Sequence, residues 1–192
     1  MKKIILITGG ARSGKSSYAE SLACEIAKKL ENSKGPIYIA TAHIWDSEFA
    51  HRVELHKQRR GAEWKNIEEE IYLSKIDIEG SVALIDCVTL WCTNFYYQMQ
   101  QEIGEERNAV KRAEALQGLL EKIKSEFNSF TTQDGVFIFV TNEIGCGGVS
   151  TNTAQREFTD LQGWVNQYIA AKADEVIMMV SGISVKIKGY DK

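Results

Sequence analysis

Apolar positions along the chain recur with two different periods, and the way these alternate sets the first expectation about the fold. Lys3 to Thr8 is a short, Ile-rich run closed by Gly9 and Gly10, the pattern of a strand buried on both faces. Directly downstream, Ala19, Leu22, Ala23, Ile26, Ala27 and Leu30 recur at spacings of three and four. That spacing predicts one apolar stripe on a helix that begins near Lys15 and is ended by Asn32 to Pro36. Further strand candidates are Ile37 to Ala40, Val82 to Asp86, Val136 to Thr141 and Glu175 to Ser181, each separated by helix-like segments. The clearest of those helices carries Val110, Ala113, Leu116, Leu120, Ile123 and Phe127 on one face. Val185 to Lys188, reading VKIK, suits a short edge strand whose lysines discourage further pairing.

Strands that alternate with helices imply a mostly parallel sheet flanked by helices, an α/β fold. With 192 residues, 44% of them hydrophobic, the chain suffices for one substantial core and is cramped for two. It contains no internal repeat and no Pro/Ser-rich linker, so residues 1–192 are expected to form a single domain. The formal charge of -3 removes non-specific nucleic-acid binding from the first expectations. MKKIILIT opens like a signal peptide, but its apolar run stops at Thr8-Gly9-Gly10. No segment reaches the roughly 18 apolar residues of a membrane span. A soluble, cytoplasmic protein is expected. Cys24, Cys87, Cys92 and Cys146 are scattered without metal-site spacing and read as reduced, mostly buried thiols.

Chemistry enters at Gly9-Gly10-Ala11-Arg12-Ser13-Gly14-Lys15-Ser16, which fits GxxxxGK[ST] between a predicted strand and a predicted helix. In such a P-loop, backbone N–H groups and the positive end of the helix dipole converge on phosphate oxygens. Lys15 adds charge, and Ser16 can ligate Mg2+. Val82 to Asp86 is a matching apolar strand that ends in a carboxylate, an arrangement that sets Asp86 beside the same metal. Together these residues indicate a nucleoside triphosphate without naming a reaction. A GTPase switch would need a base-reading NKxD segment, and Thr141-Asn142-Glu143 has neither its order nor its spacing.

A capped helical segment, Asp46 to Arg60, has a basic end, and Phe49, Val53 and His56 share one of its stripes. Lys57, Arg59 and Arg60 suit the holding of phosphates, and an imidazole among them can attack phosphorus. A lone histidine on an amphipathic helix is more commonly a packing or capping residue. The acidic run Glu68-Glu69-Glu70 reads equally as a solvated helix start. Trp91, Tyr96 and Tyr97 read as helix packing in preference to a ligand pocket.

The stretches ITGGARSGKSSYAE, IYIATA, RVELHKQRRGAEW, LIDCVTLWCTN, VTNEIGCGG and ADEVIMMVSGISVKIK, in this order, span nearly the whole chain. This ordered set resembles the bifunctional adenosylcobinamide kinase / adenosylcobinamide-phosphate guanylyltransferase family of cobalamin biosynthesis. The resemblance implies two steps. ATP or GTP phosphorylates the aminopropanol hydroxyl of adenosylcobinamide, and GMP then passes from GTP to adenosylcobinamide phosphate through a GMP-histidine intermediate. His56 matches that histidine, whereas His43 and His51 have no counterpart in the motif. The resemblance also carries over Thr8 to Lys15, Ala40, Thr41, Ala42, Lys57, Gln58, Arg59, Arg60, Glu68 and Asp86 as nucleotide-binding positions, with Lys15 also catalytic. Ser16 and Asp86 are the expected Mg2+ ligands. The resemblance makes a homo-oligomer plausible, a trimer included.

Two departures stand out. Gly61 follows Arg60 where the family usually has proline, and Ser150-Thr151-Asn152 replaces a Pro-Glu-Asn-like sequence. Two other readings are a P-loop kinase of another small alcohol without guanylyl transfer and a nucleotide-switched binding module.

Overall fold

A computed structural model describes residues 2–30, 35–43, 60–78, 80–104 and 106–189 of the chain. Its strands are β1 (Lys2–Gly9), β2 (Ile37–Ala40), β3 (Lys65–Glu68), β4 (Val82–Asp86), β5 (Gly135–Val140), β6 (Glu175–Val180) and β7 (Ile183–Lys188). They form one sheet in the order β3-β2-β4-β5-β1-β6-β7. Every neighbouring pair is parallel except β6 with β7. The four helices among the described residues are α1 (Lys15–Lys29), α2 (Val88–Ile103), α3 (Ala109–Phe130) and α4 (Thr153–Lys172).

Alternation along the inner strands divides the core in two. Ile4, Leu6, Ile85, Phe137 and Phe139 face one side, where α2, α3 and α4 cover them with Trp91, Leu120, Phe127, Phe130 and Val165. Ile5, Ile7, Leu84, Val136 and Ile138 face the other, where Ala19, Ala23 and Ala27 of α1 pack closely. Both faces of β5 are covered, which is why its sequence is an unbroken apolar run. The three helices on the first side meet at a charged contact. Arg112 donates to Glu157 through Nε and Nη2 at 2.8 and 2.6 Å, and the Tyr96 hydroxyl donates to the same carboxylate at 2.8 Å. The Arg112 guanidinium holds the Glu157 carboxyl below its ordinary range.

The α/β architecture and the strands anticipated from the sequence are present. Four expectations change. The stripe on α3 is rotated: Val110 and Ala113 are exposed, while Leu119 and Phe130 join Leu116, Leu120, Ile123 and Phe127 in the core. Glu68 ends strand β3 instead of starting a helix, because Lys65 to Glu68 pairs with β2 as a sheet edge. The terminal edge strand is longer than VKIK and begins at Ile183. Its Lys186 and Lys188 are engaged with Glu175 and with the Ala170 and Ala171 carbonyls, leaving Ile183, Val185 and Ile187 exposed. The cysteines are free, but Cys146 is exposed and Cys24 half-buried. Trp91 is fully buried, with its indole N–H donating to the Ile71 carbonyl, so its role is packing.

Candidate functional site

Parallel strands send their C-terminal ends to one edge of the sheet, so the segments following β1, β2, β4 and β5 gather there. Gly10 to Gly14 turn the chain from β1 into α1. Gly9, at φ 148°, has no room for a side chain, since a Cβ would strike the Met179 carbonyl of β6. Gly14, at φ 94°, begins the helix in the left-handed region that favours glycine. Three backbone bonds hold the turn: Ser13 N–H to Gly10 O at 3.3 Å, Glu143 N–H to Gly9 O at 3.0 Å, and Gly182 N–H to Ser13 O at 3.0 Å. The start of α1 has no side-chain cap and no acidic residue in its first turn. Its first N–H groups are left without side-chain partners at the loop, the arrangement that can accept an anion.

Lys15 is 7% exposed and donates from Nζ to Gly10 O at 2.6 Å and to Ser13 Oγ at 3.5 Å. Burial lowers its pKa, while Cys87 and Asp86 pull in the opposite direction. Burial, with a further contribution from Asp86, pushes the Cys87 thiol up to about 12, so Cys87 is neutral at ordinary pH. Asp86 is then the anion that Lys15 senses. The structure refines the sequence picture here, because β5 lies between β1 and β4 and Asp86 stands two strand spacings from the loop strand.

The Ser16 hydroxyl and the Asp86 carboxylate are hard oxygen donors, the type Mg2+ selects. No group of three or more His, Cys, Asp or Glu able to hold a metal occurs among the described residues. Mg2+ takes one or two oxygens from a protein when phosphates and water complete its shell, and on the chemistry of these two donors the residues present fit it.

The other anticipated positions are spread along this edge. Thr8 is the last residue but one of β1, and Ala40, Thr41 and Ala42 lie where β2 ends. Thr41 is fully buried. Its Oγ1 donates to Cys87 O at 2.8 Å and accepts from Cys87 N–H at 2.9 Å, bracing the turn that follows Asp86. Glu68 is exposed at the end of β3, four strand spacings or roughly 19 Å from β1. It and the loop therefore cannot touch the same phosphate. His43 Nδ1 lies 2.9 Å from Glu70 Oε1. His56, Lys57, Gln58 and Arg59, with most of the anticipated Asp46 to Arg60 helix, lie outside the described residues.

Arg60 is described, and its charge is already engaged within the protein. The guanidinium stacks 3.5 Å above the Tyr38 ring, donates from Nε to Asn66 Oδ1 at 2.9 Å and lies 3.6 Å from Glu20 Oε1. Only 3% of the side chain is exposed. Sequence reasoning passed over Tyr38, whose hydroxyl donates to Asp86 Oδ2 at 3.1 Å. A tyrosine inside an apolar strand carries no signal beyond its one polar tip. The departure at Ser150 to Asn152 is a local helix cap: Asn152 Oδ1 accepts from Gln155 N–H, and Ser150 Oγ from Asn152 N–H.

Arg12 occupies the left-handed region at φ 60°, where a side chain costs about 1 kcal/mol relative to glycine. Arg12→Gly is expected to raise the melting temperature by about 2–4 °C and to weaken nucleotide binding. A calorimetric scan and a nucleotide titration check both effects, and normal binding by the variant would leave the strained arginine without a role.

Residues 5–187 match the model of the family described as cobinamide kinase / cobinamide phosphate guanyltransferase. The chain is 38% identical over 189 residues to the bifunctional adenosylcobalamin biosynthesis protein CobU of Escherichia coli (strain K12), covering 96% of this chain and 99% of that one. It is 36% identical over 189 residues to the bifunctional adenosylcobalamin biosynthesis protein CobP of Pseudomonas aeruginosa, covering 96% of each chain. Among solved structures it is similar to a prototypical ATPase from the type III secretion system of pathogenic bacteria, with a TM-score of 0.53 and 9% identity. That match covers 96% of this chain and 56% of the ATPase, and it bears on the fold alone.

Proposed function

The chain belongs to the cobinamide kinase / cobinamide phosphate guanyltransferase family, and from that premise we propose a two-step reaction at one nucleotide site. Adenosylcobinamide is phosphorylated first. Its aminopropanol oxygen bonds to the γ-phosphorus of ATP or GTP as the bond to the β,γ-bridging oxygen breaks, and the hydroxyl proton is released. In the second step an imidazole nitrogen of His56 bonds to the α-phosphorus of GTP and pyrophosphate leaves. A phosphate oxygen of adenosylcobinamide phosphate then displaces the histidine, giving adenosylcobinamide-GDP.

The observation that supports this reading is the Gly9–Ser16 turn with its buried Lys15 and uncapped helix start. Such a site presents fixed donors to phosphate oxygens and requires little reorganisation as charge develops on them. Lys15 would exchange the Gly10 carbonyl for phosphate oxygens. Thr8 to Ser16, Ala40 to Ala42, Glu68 and Asp86 are the described positions assigned to the nucleotide, with Lys57, Gln58 and Arg59 joining from the segment around His56. Ser16 and Asp86 would hold Mg2+, which supplies charge neutralisation on the phosphate oxygens when bound. No described helix is long and apolar enough to cross a membrane. A cytoplasmic homo-oligomer completes the reading.

The test is incubation of the purified protein with adenosylcobinamide and either ATP or GTP, with products identified by mass. Both the phosphate and the GDP conjugate are expected with GTP. The phosphate alone would reduce the protein to a kinase, and nucleotide hydrolysis without either conjugate would favour a nucleotide-switched module.

A further inference from the structure

β5 lies between the strand that feeds the phosphate loop and the strand that ends in Asp86, yet the residues that follow it, Thr141-Asn142-Glu143, have no part in the function proposed above. Its pairing with β1 outlasts the strand. Thr141 N–H donates to Ile7 O at 2.9 Å and Glu143 N–H to Gly9 O at 3.0 Å, the two-residue step of a parallel ladder. Side chains therefore keep alternating between the faces. Val136, Ile138 and Val140 face α1, and Thr141 faces α4, where it meets Gln162. Asn142 falls on the α1 face, one alternation beyond Val140, whose Cα partner is Asp86. On that side stands Lys15 of α1, its Nζ 2.6 Å from Gly10 O.

The backbone of Asn142 is fastened from two helices. Its N–H donates to Thr89 Oγ1 of α2 at 3.0 Å, and its carbonyl accepts from Asn166 Nδ2 of α4 at 3.1 Å. Asn166 is held in turn by a polar network. Its Oδ1 accepts from the Thr141 hydroxyl at 2.7 Å and from Gln162 Nε2 at 2.9 Å, and Gln162 Nε2 also donates to Thr141 Oγ1 at 2.9 Å. Thr141 and Gln162 are fully buried, and Gln162 Oε1 has no partner among the described residues. Leaving that oxygen bare costs stability, so packing alone does not account for the network. What it yields is a fixed backbone at Asn142. The side-chain amide of Asn142 is half-buried and, by contrast, hydrogen-bonded to no described residue. A donor held this firmly, beside a phosphate loop and with its hydrogens unused, is preorganised for charge that develops there.

We propose that Asn142 is a catalytic residue of the phosphorylation step, its side-chain N–H donating to an oxygen of the γ-phosphoryl group in transit. In a loop of this kind the lysine reaches the β- and γ-phosphates, and Lys15 Nζ marks their place beside Gly10. The inference rests on the kinase reading given above and adds no covalent step. As the aminopropanol oxygen bonds to the γ-phosphorus, the electron pair of the breaking bond passes to the β,γ-bridging oxygen, and the amide meets the charge spread over the γ oxygens. In guanylyl transfer the bonds change at the α-phosphorus, and the γ-phosphate only departs within pyrophosphate.

Calorimetry compares the binding of ADP with Mg2+ to the binding of ADP with Mg2+ and aluminium fluoride, which takes the place of the transferred phosphoryl group. Asn142→Ala is expected to bind ADP within about twofold of the unmodified protein and the fluoride complex about tenfold or more weakly, the effect of one charge-assisted hydrogen bond. Asn142→Asp keeps the shape and turns the donor into an anion, and its loss for the fluoride complex should be larger still. With adenosylcobinamide and ATP, the kcat of Asn142→Ala falls on the order of 10²-fold, the loss that follows removal of one such donor. Its guanylyl transfer from GTP to supplied adenosylcobinamide phosphate stays within a few-fold. Unchanged affinity of Asn142→Ala for the fluoride complex overturns the proposal. So does an equal loss for ADP and for the fluoride complex, which would make Asn142 a support of the loop and not a partner of the γ-phosphoryl group. If the unmodified protein leaves adenosylcobinamide unphosphorylated, the kinase reading fails, and the fluoride comparison still decides the contact.

Discussion

Incubated with α-labelled GTP, His56→Ala is expected to retain no protein-bound label, whereas the unmodified protein carries an adduct that is labile in acid and stable in base. A phosphorus–nitrogen bond behaves this way because protonation of the imidazole turns it into a good leaving group. Guanylyl transfer should fall by on the order of 10³-fold or more, as it does when a covalent nucleophile is deleted. Phosphorylation of adenosylcobinamide, which needs no imidazole, should persist within a few-fold. The transfer rate should also decline on acidification, since only the neutral ring has a lone pair to offer. Equal labelling of the variant would remove His56 from the chemistry. The surrounding basic residues would then be left with a binding role.

Lys15→Met should impair both half-reactions by about 10²- to 10³-fold, since each develops charge on oxygens that Lys15 would contact. Methionine keeps most of the buried stem and deletes only the charge. The same substitution should raise stability. Burial lowers the Lys15 pKa from its unfolded value of 10.5, so the folded protein binds its proton less tightly than the unfolded chain does. Stability of the unmodified protein consequently rises with pH between the lowered folded value and 10.5, and below that window the burial cost is fully present. The stability advantage of Lys15→Met should be largest near neutrality and shrink as pH climbs through the window. Denaturant titrations at several pH values measure this, and a variant less stable than the parent at neutral pH would refute the argument.

Much of this architecture was legible because period and chemistry coincide. The Ile-rich run into Gly9 and the three- and four-residue spacing after Lys15 identify β1 and α1, and only the turn between them needs glycine at both ends. β3 escaped notice because Lys65-Asn66-Ile67-Glu68 is a polar edge strand, held by pairing to β2 and with no buried face of its own. The stripe of α3 was misplaced at its start because Val110 is apolar yet exposed. The turn between β1 and α1 was legible from its motif, and the place of Asp86 from the apolar strand that it ends. The engagement of Arg60 was not. An arginine in a basic run looks alike whether its charge faces solvent or folds inward, and what turns Arg60 inward is a ring contributed by a strand more than twenty residues away.

The bond from Gly182 N–H to Ser13 O joins the β6–β7 turn to the loop in front of α1, and the Gly182 Cα lies 3.4 Å from where a Cβ on Gly14 would stand. Glycines allow the loop backbone to approach a ligand closely, but by themselves they leave it free to wander. The turn between the antiparallel strands acts as a buttress that removes part of this freedom before any ligand arrives. Less ordering entropy is then lost on binding, so more of the contact energy is retained as affinity. The stiffness of the loop is in this way partly a property of the antiparallel strand pair at the β7 edge of the sheet.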